Sequence, residues 1–304
     1  MHAWEQIQQT LDEIEDHLSE EINIEDLAKK ASLSIFYYQR LFRRLVKKPV
    51  AEYVKLRRMA RAAELLLEKE RRILDIALEL GFSSHEHFTR TFKETFGVTP
   101  DEYRRHPQTF NRMNKPELLL HYTVVDENVP LITGGIVLEI SRQNLDEPLY
   151  YAGIDKKMPV GFIEGLGVES GTDPLYELWE TVHEQKNRFM QLSDRGEEIG
   201  VTHPCSEEGY FNYFAGARIQ DSSGPDGFPV WTLPKGEYIV CSFEAESFED
   251  LVMDALYKAE QYLFGVWLPT HQIQTEPFCA ERYKSHSPKT TSMEVWLKLS
   301  ENHL

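Results

Sequence analysis

The chain of 304 residues is poor in cysteine and has no long apolar run. Its three cysteines, Cys205, Cys241 and Cys279, lie far apart without a Cys-x-x-Cys pair. This usage fits a reducing compartment and argues against a disulfide framework. No segment approaches the roughly 18 apolar residues of a membrane span, and the charged segment 1–18 lacks the apolar core of a signal peptide. We therefore expect a cytoplasmic protein without membrane association.

Basic residues are in the minority, and their distribution is uneven. The net charge is −17, yet residues 1–107 contain 18 basic and 19 acidic side chains. Within them, the segment from Lys29 to Arg61 holds eleven basic residues and a single acid, Glu52. Charge of this density is expected where a protein meets phosphates, although a solvated helical face would also fit if the charge stood alone.

A short pattern occurs twice in this first part. Residues 27–34 read Leu-Ala-x-x-Ala-Ser-Leu-Ser, and 49 residues later residues 76–83 read Ile-Ala-x-x-Leu-Gly-Phe-Ser. A small residue where two helices cross, a tight turn, an apolar plug and a serine cap are the requirements of a helix-turn-helix. The repeat therefore predicts two such units, with second helices at about 35–46 and 85–96.

Both second helices are predicted to be two-sided. Apolar residues such as Phe42 and Phe92 recur on one side, and polar or basic residues such as Arg43 and Arg90 occupy the other. A helix that packs on its partner and also offers hydrogen-bonding groups to a major groove needs this arrangement. Counting the flanking helices, we expect seven helices around two small cores.

Residues 27–105 resemble the AraC/XylS-type DNA-binding domain. The resemblance rests on the Leu80-Gly81-Phe82 turn, the Phe92-Lys93 pair and the ending Gly97-Val98-Thr99-Pro100 with Tyr103-Arg104. Ser32 departs from the family, which usually has glycine there. The resemblance implies that base-reading side chains lie on the two second helices. They are Phe36, Gln39, Arg40 and Arg43 in the first, and Ser84, His85, Glu86, His87, Thr89 and Arg90 in the second.

The cluster His85-Glu86-His87 also invites a metal-site interpretation. Histidines separated by one residue lie on different sides of a helix and cannot chelate as an i, i+4 pair would. We therefore expect no metal and no cofactor.

The second half has a different pattern. Residues 108–132 lack periodicity and contain two prolines, so we interpret them as a linker between domains at 1–107 and 133–304. In the second domain the order strand, helix, strand, strand occurs twice. This order predicts an α+β domain of two pseudo-symmetric halves whose sheets face each other across a groove. The predicted strands are Gly135–Ser141, Leu149–Asp155, Ile199–His203, Tyr210–Ile219, Glu237–Phe243, Gln272–Thr275, Phe278–Tyr283 and Met293–Leu299.

This half resembles the GyrI-like effector-binding domain. The matching segments are Phe211-x-Tyr213-x-Ala215-Gly216, Leu233-Pro234-Lys235-Gly236-x-Tyr238, Trp267-Leu268-Pro269, Pro277-Phe278-x-x-Glu281-x-Tyr283 and Glu294-x-Trp296. Domains of this kind hold a carboxylate in an aromatic-lined groove that suits a lipophilic, often cationic molecule. The candidate charges are Glu281 and Glu294. The candidate walls are Tyr150, Tyr176, Trp179, Tyr213, Trp267, Tyr283 and Trp296.

The whole pattern predicts a multidomain regulator: an all-α tandem helix-turn-helix domain followed by an α+β effector domain. The expected partners are double-stranded DNA, a small-molecule effector and, for an activator, RNA polymerase. Two alternatives stay open at this point. The groove of the second domain could hydrolyse a small electrophile, or the domain could serve as a ligand-free interaction module.

Overall fold

The computed structural model describes residues 3–121, 123–133, 135–165, 171–185, 188, 196–283 and 292–300. The chain forms two compact units. The first, here the helical unit, comprises Met1–Leu119 and Gly165–Asp173. The second, here the sheet unit, comprises Leu120–Glu164 and Pro174–Leu304. The all-α and α+β classes predicted from the sequence are both confirmed.

Seven α-helices precede residue 106, as the repeat predicts. They are α1 (Ala3–Asp16), α2 (Ile24–Lys30), α3 (Ile35–Val46), α4 (Val50–Leu66), α5 (Ile73–Glu79), α6 (His85–Phe96) and α7 (Pro100–Arg105). Side-chain caps define several starts, since Asn23, Ser34, Ser84 and Thr99 each accept a hydrogen bond from a backbone N–H of the first turn.

Two separate cores support these helices, and α4 contributes to both. Tyr53 at its beginning packs with Tyr38 and Phe42 in the first core, whereas Met59 and Leu66 pack in the second. The 17-residue helix is about 25 Å long at 1.5 Å per residue. It therefore joins the two helix-turn-helix units through their hydrophobic interiors.

Part of the predicted linker is built into the helical unit. Phe110 begins the short strand β1 (Phe110–Asn111) and stacks on Phe96 and Tyr103, with ring centroids 4.3 and 4.6 Å apart. Met113 instead packs in the first core. Strand β1 pairs with β5 (Gly171–Thr172), and the amide of Asn111 donates to the carbonyl of Gly165 at 2.9 Å. The chain thus leaves the sheet unit at residue 164, adds a strand to the helical unit and returns at residue 174.

The sheet unit contains one antiparallel sheet of nine strands in the order β2-β3-β9-β11-β10-β6-β7-β4-β8. Its strands are β2 (Leu131–Thr133), β3 (Ile136–Leu145), β4 (Leu149–Pro159), β6 (Glu198–Pro204), β7 (Tyr210–Ile219), β8 (Val230–Leu233), β9 (Gly236–Glu244), β10 (Cys279–Tyr283) and β11 (Ser292–Lys298). Its helices are α8 (Val160–Gly165), α9 (Pro174–Gln185), α10 (Phe248–Asp250), α11 (Leu256–Tyr262) and α12 (Leu268–His271), with π-helical turns Leu251–Ala255 and Leu263–Trp267 between the last three.

Three details differ from the sequence prediction. The two halves do not form separate facing sheets, because β6 of the first half pairs with β10 of the second and makes the sheet continuous. Strands β2 and β8 were not predicted. The segment predicted as a strand at 272–275 forms only an isolated bridge from Thr275 to Leu299.

The nine-stranded sheet has two chemically different faces. Helix α9 and the helical stretch 248–271 pack on one, here the helix-covered face. Successive residues of a strand point to alternate faces, so neighbouring residues of β10 belong to different clusters: Cys279 and Tyr283 pack on the helix-covered face, and Ala280 packs on the opposite face. Strand parity therefore decides which predicted ligand residues can meet.

Candidate nucleic-acid interface and effector site

The two helix-turn-helix copies share the backbone geometry of their turns. In the first copy the N–H of Leu33 donates to the carbonyl of Ala28, and in the second the N–H of Phe82 donates to Ala77, both at 2.9 Å. The residue before each donor adopts a left-handed conformation, with φ of 56° at Ser32 and 77° at Gly81. The repeat seen in the sequence is therefore a repeat in structure.

The predicted base-reading residues of α3 lie on its exposed side. Phe36 is 72% exposed although it is aromatic, and Gln39, Arg40 and Arg43 are also exposed. A large apolar side chain held in water at the start of a recognition helix is suited to contact with a thymine methyl group.

The predicted residues of α6 divide into three groups. His85, Glu86 and Arg90 are exposed, and Arg90 lies 3.9 Å from Glu94. The exposed His87 packs its ring edge-on against Phe82. Two others are half-buried. Ser84 caps the helix by accepting from the N–H of His87, and the buried Oγ1 of Thr89 has no hydrogen-bond partner among the described residues.

Not all of the basic segment is available to phosphates. Arg57 pairs with Glu15 at 2.8 Å and donates to the carbonyl of Met113. Arg58 donates to the carbonyls of Leu18 and Glu20. These two arginines stabilise the helical unit, whereas others such as Arg44, Lys47 and Lys55 are exposed. Sequence reasoning counted all of them as surface charge, because a charge count does not reveal internal hydrogen bonds.

The centre of the second site is Glu281 on β10. Its carboxylate is 5% exposed and accepts hydrogen bonds at the same oxygen from the hydroxyls of Tyr213, at 2.9 Å, and Tyr283, at 3.2 Å. Burial, reinforced by the charge of Glu281, raises the pKa of both tyrosines well above its ordinary value, so both hydroxyls remain donors at neutral pH. The indole of Trp179, on α9, meets Tyr283 edge-on at 5.7 Å.

Gly200 makes this arrangement possible. A Cβ at this position of β6 would lie 2.1 Å from the Tyr213 hydroxyl and 3.0 Å from a Glu281 oxygen. Sequence reasoning did not single it out. The available signal was a glycine inside a strand pattern, which often marks the close approach of another group.

The remaining predicted wall residues are more dispersed. Tyr150 is half-buried in the same cluster as Tyr213, and Tyr176 is half-buried on α9. Trp267 is fully buried, stacks on His271 and donates its indole N–H to the carbonyl of Val125 at 2.9 Å. The structure therefore gives Trp267 a packing role and assigns its only polar group to the backbone.

Glu294 and Trp296 lie on the opposite face of the sheet from Glu281. In the register of β10 with β11, Glu294 stands beside Arg282 and Trp296 beside Ala280. The guanidinium of Arg282 lies 4.3 Å above the Trp296 ring, and the indole N–H of Trp296 donates to Glu294. These two residues do not share a face with Glu281, since an offset of one residue in strand register reverses the side of the sheet.

Comparisons with known proteins agree with this division. Residues 27–106 match the model of a helix-turn-helix domain, and residues 168–297 match that of an integron-associated effector binding protein. The regulatory protein SoxS of Salmonella typhimurium is 43% identical over 101 residues, which cover 33% of this chain and 94% of SoxS. The chain belongs to the AraC-type transcription regulators. It is thus a DNA-binding regulator with an effector-binding domain, not an enzyme.

Two other similar proteins match part of this chain. The uncharacterised regulator YbfP of Bacillus subtilis is 43% identical over 110 residues, which span 36% of this chain and only 37% of YbfP. SAV2435, solved bound to tetraphenylphosphonium, is 16% identical with a TM-score of 0.41, covering 54% of this chain and 98% of SAV2435. The resemblances predicted for both halves are confirmed by the two family matches.

Two further features bear on other classes of site. Among the described residues, no helix has both the length and the apolar character needed to cross a membrane. In the same part of the chain, no group of three or more His, Cys, Asp or Glu side chains is arranged to hold a metal ion.

Proposed function

We propose that this AraC-type regulator binds a lipophilic aromatic cation at Glu281 and reads an asymmetric DNA site with α3 and α6. The observation that supports the effector class is the buried Glu281 carboxylate, placed beside the aromatic rings of Trp179, Tyr213 and Tyr283. Effector binding changes the affinity of the chain for DNA or its contact with RNA polymerase.

The chemistry of the Glu281 cluster favours a positive, flat ligand. Aromatic faces attract a cation by about 0.5–2 kcal/mol each, and a desolvated carboxylate provides the opposite charge. The tyrosine hydroxyls keep Glu281 oriented because both donate to one oxygen. A neutral ligand would gain the apolar contact without the charge interaction.

The effector proposal is tested with ethidium, an aromatic monocation, titrated into the full chain by isothermal calorimetry. Glu281→Gln is expected to weaken ethidium binding by about tenfold or more, as removal of one buried charge partner does. Glu294→Gln is the matched control, since this acid lies in the same sheet on the opposite face, and it is expected to leave binding unchanged.

The result that overturns the effector proposal is equal binding by both variants and the unaltered chain. A chain that binds no aromatic cation while still binding DNA would instead favour the interaction-module alternative for the sheet unit.

The DNA proposal assigns base reading to Phe36, Gln39, Arg40 and Arg43 of α3 and to the exposed residues of α6. Helices joined by the rigid α4 can occupy successive major grooves, whose centres are about 34 Å apart. We therefore expect selection from random duplexes to return one asymmetric site of about 20 base pairs with two conserved elements about one helical turn apart. A palindromic site, or a single conserved element, would contradict the use of both copies by one chain.

A further inference from the structure

A second carboxyl group lies close to the Glu281 cluster and was not singled out from the sequence. Glu260 is on α11, half-buried, and its Oε1 accepts a hydrogen bond from the thiol of Cys279 at 3.6 Å. Cys279 and Glu281 are two residues apart on β10 and share a face, so they lie about 7 Å apart along the strand. Glu260 therefore borders the proposed effector site from the helix side.

The described surroundings of Glu260 are acidic. On β10 it is near Cys279, Glu281 and Tyr283, and on β9 it is near Cys241. The nearby lysine of its own helix stretch, Lys258, pairs with Asp254 at 2.7 Å. In the part of the chain that the structure describes, no lysine or arginine forms an ion pair with Glu260, and a thiol is a weak donor.

This environment changes the proton affinity of Glu260. Burial, followed by the negative charge of Glu281, raises the pKa of Glu260 to about 8, while the Cys279 hydrogen bond acts in the opposite direction. Glu260 is therefore largely neutral at pH 7 in the absence of a ligand. A positive group brought close to it would favour the ionised form and release the proton.

We propose that Glu260 is a second specificity determinant of the effector site and selects an aromatic cation that carries a second positive group. This inference rests on the proposed function of Glu281. It adds that the ligand carries a second positive charge and that its binding releases a proton from Glu260. Ionising a half-buried carboxyl group beside another acid is costly in a protein interior, and groups with shifted pKa values concentrate at binding sites. Glu281 binds the ring cation and Glu260 binds the second positive group.

Ethidium and propidium form a matched pair of probes, because they share a phenanthridinium ring and propidium adds a quaternary ammonium group on a short chain. Calorimetry on the full chain at pH 9 is expected to show a preference for propidium of about tenfold, the effect of one partly solvated charge pair. The preference is expected to decline as the pH falls through the raised pKa of Glu260, about 8, because protonation removes the second charge.

Glu260→Gln is the central variant. It is expected to remove the propidium preference at pH 9 and to change ethidium binding little at pH 6.5, where Glu260 is already protonated. Glu246→Gln, which alters an exposed glutamate, is the matched control and is expected to behave as the unaltered chain. Circular dichroism checks that each variant is folded.

The outcomes separate this inference from the proposed function. If Glu281→Gln weakens both dyes while Glu260→Gln keeps the propidium preference and its pH dependence, the inference on Glu260 is wrong and the Glu281 site stands. If neither dye binds the unaltered chain, the proposed function fails and the inference fails with it.

Cys279→Ala gives a second measurement in case Glu260→Gln does not fold. It removes the hydrogen bond that favours the Glu260 carboxylate. The pH at which the propidium preference appears is therefore expected to move upward. An unchanged midpoint would overturn the assignment of the preference to Glu260.

Discussion

The two helix-turn-helix copies share their backbone hydrogen bonds but use different residues where the backbone is left-handed. In the turn, the first copy has Ser32 and the second has Gly81, with φ of 56° and 77°. After the recognition helix, the first has Lys47 and the second Gly97, with φ of 64° and 81°. A left-handed conformation costs a residue with a side chain about 1–2 kcal/mol. The first copy therefore carries backbone strain that the second avoids.

The recognition helices also differ in charge. The exposed side of α3 carries Arg40, Arg43 and Arg44 without an acid in the helix, whereas α6 mixes Arg90 with the acids Glu86 and Glu94. Positive charge alone contributes binding that is independent of sequence and sensitive to salt. Acidic neighbours weaken that contribution and favour contacts of defined geometry. The comparison predicts a first copy that holds DNA generally and a second that discriminates more.

The largest expected effect is a loss of stability from a substitution in the core of the second copy. Phe110→Ala removes a ring stacked on Phe96 and Tyr103 in the second core. We expect it to lower the free energy of unfolding by about 3–4 kcal/mol, in the range of large-to-small core substitutions. Hydrogen exchange is expected to increase in α6 more than in α3. Met113→Ala, which alters the first core, is the control, and it is expected to increase hydrogen exchange in α3 more than in α6. A greater loss of protection in α3 than in α6 after Phe110→Ala would contradict the division of the helical unit into two cores.

The next effect concerns the roles of basic residues in DNA binding. Arg90→Ala is expected to relax the preference at one base position by about 1–3 kcal/mol, the discrimination of one good base contact. Lys55→Ala is expected to weaken binding to all sequences alike and to reduce its salt dependence. Binding of a library of single-base variants of the selected site measures both. A uniform loss in both variants would show that Arg90 does not read a base.

A smaller effect is expected at the turn of the second copy. A Cβ at Gly81 would lie 3.1 Å from the guanidinium of Arg58, which is held by the carbonyls of Leu18 and Glu20. Gly81→Ala is therefore expected to cost about 1–2 kcal/mol in the free energy of unfolding, measured by urea denaturation.

Gly97→Ala is the matched control for this turn, because its φ is also positive but its Cβ would meet no atom within 4 Å. It is expected to cost less than Gly81→Ala. An equal loss in the two variants would mean that Arg58 moves aside freely and does not tie the first copy to the turn of the second.

The local features of the helical unit could be predicted from sequence because they depend on local rules. Serine caps, the turn and the apolar spacing define α3 and α6 without reference to distant residues. Strand β5 could not be predicted, since Gly171–Thr172 pairs with a strand about 60 residues earlier in the chain.

The effector site was predictable only in part. Glu281-x-Tyr283 and Glu294-x-Trp296 have the same pattern, and only strand register places one pair on the helix-covered face and the other on the opposite face. Glu260 has no distinguishing signal in sequence, because an acid on an amphipathic helix is usually exposed.

The smallest expected effect is a gain in stability from Ser32→Gly. Glycine relieves the left-handed strain of about 1–2 kcal/mol but costs about 0.5–1 kcal/mol through the greater freedom of the unfolded chain. The net gain in the free energy of unfolding is about 0.5 kcal/mol, measurable by urea denaturation. Lys47→Gly is expected to raise the free energy of unfolding by a similar additional amount. The two positions lie at opposite ends of α3 and their backbone N–H groups donate to different carbonyls, so the two gains should be independent. A lower free energy of unfolding in Ser32→Gly would mean that the Ser32 side chain makes a stabilising interaction larger than the backbone strain. The first copy would then compensate for its left-handed residues and carry no residual strain relative to the second copy.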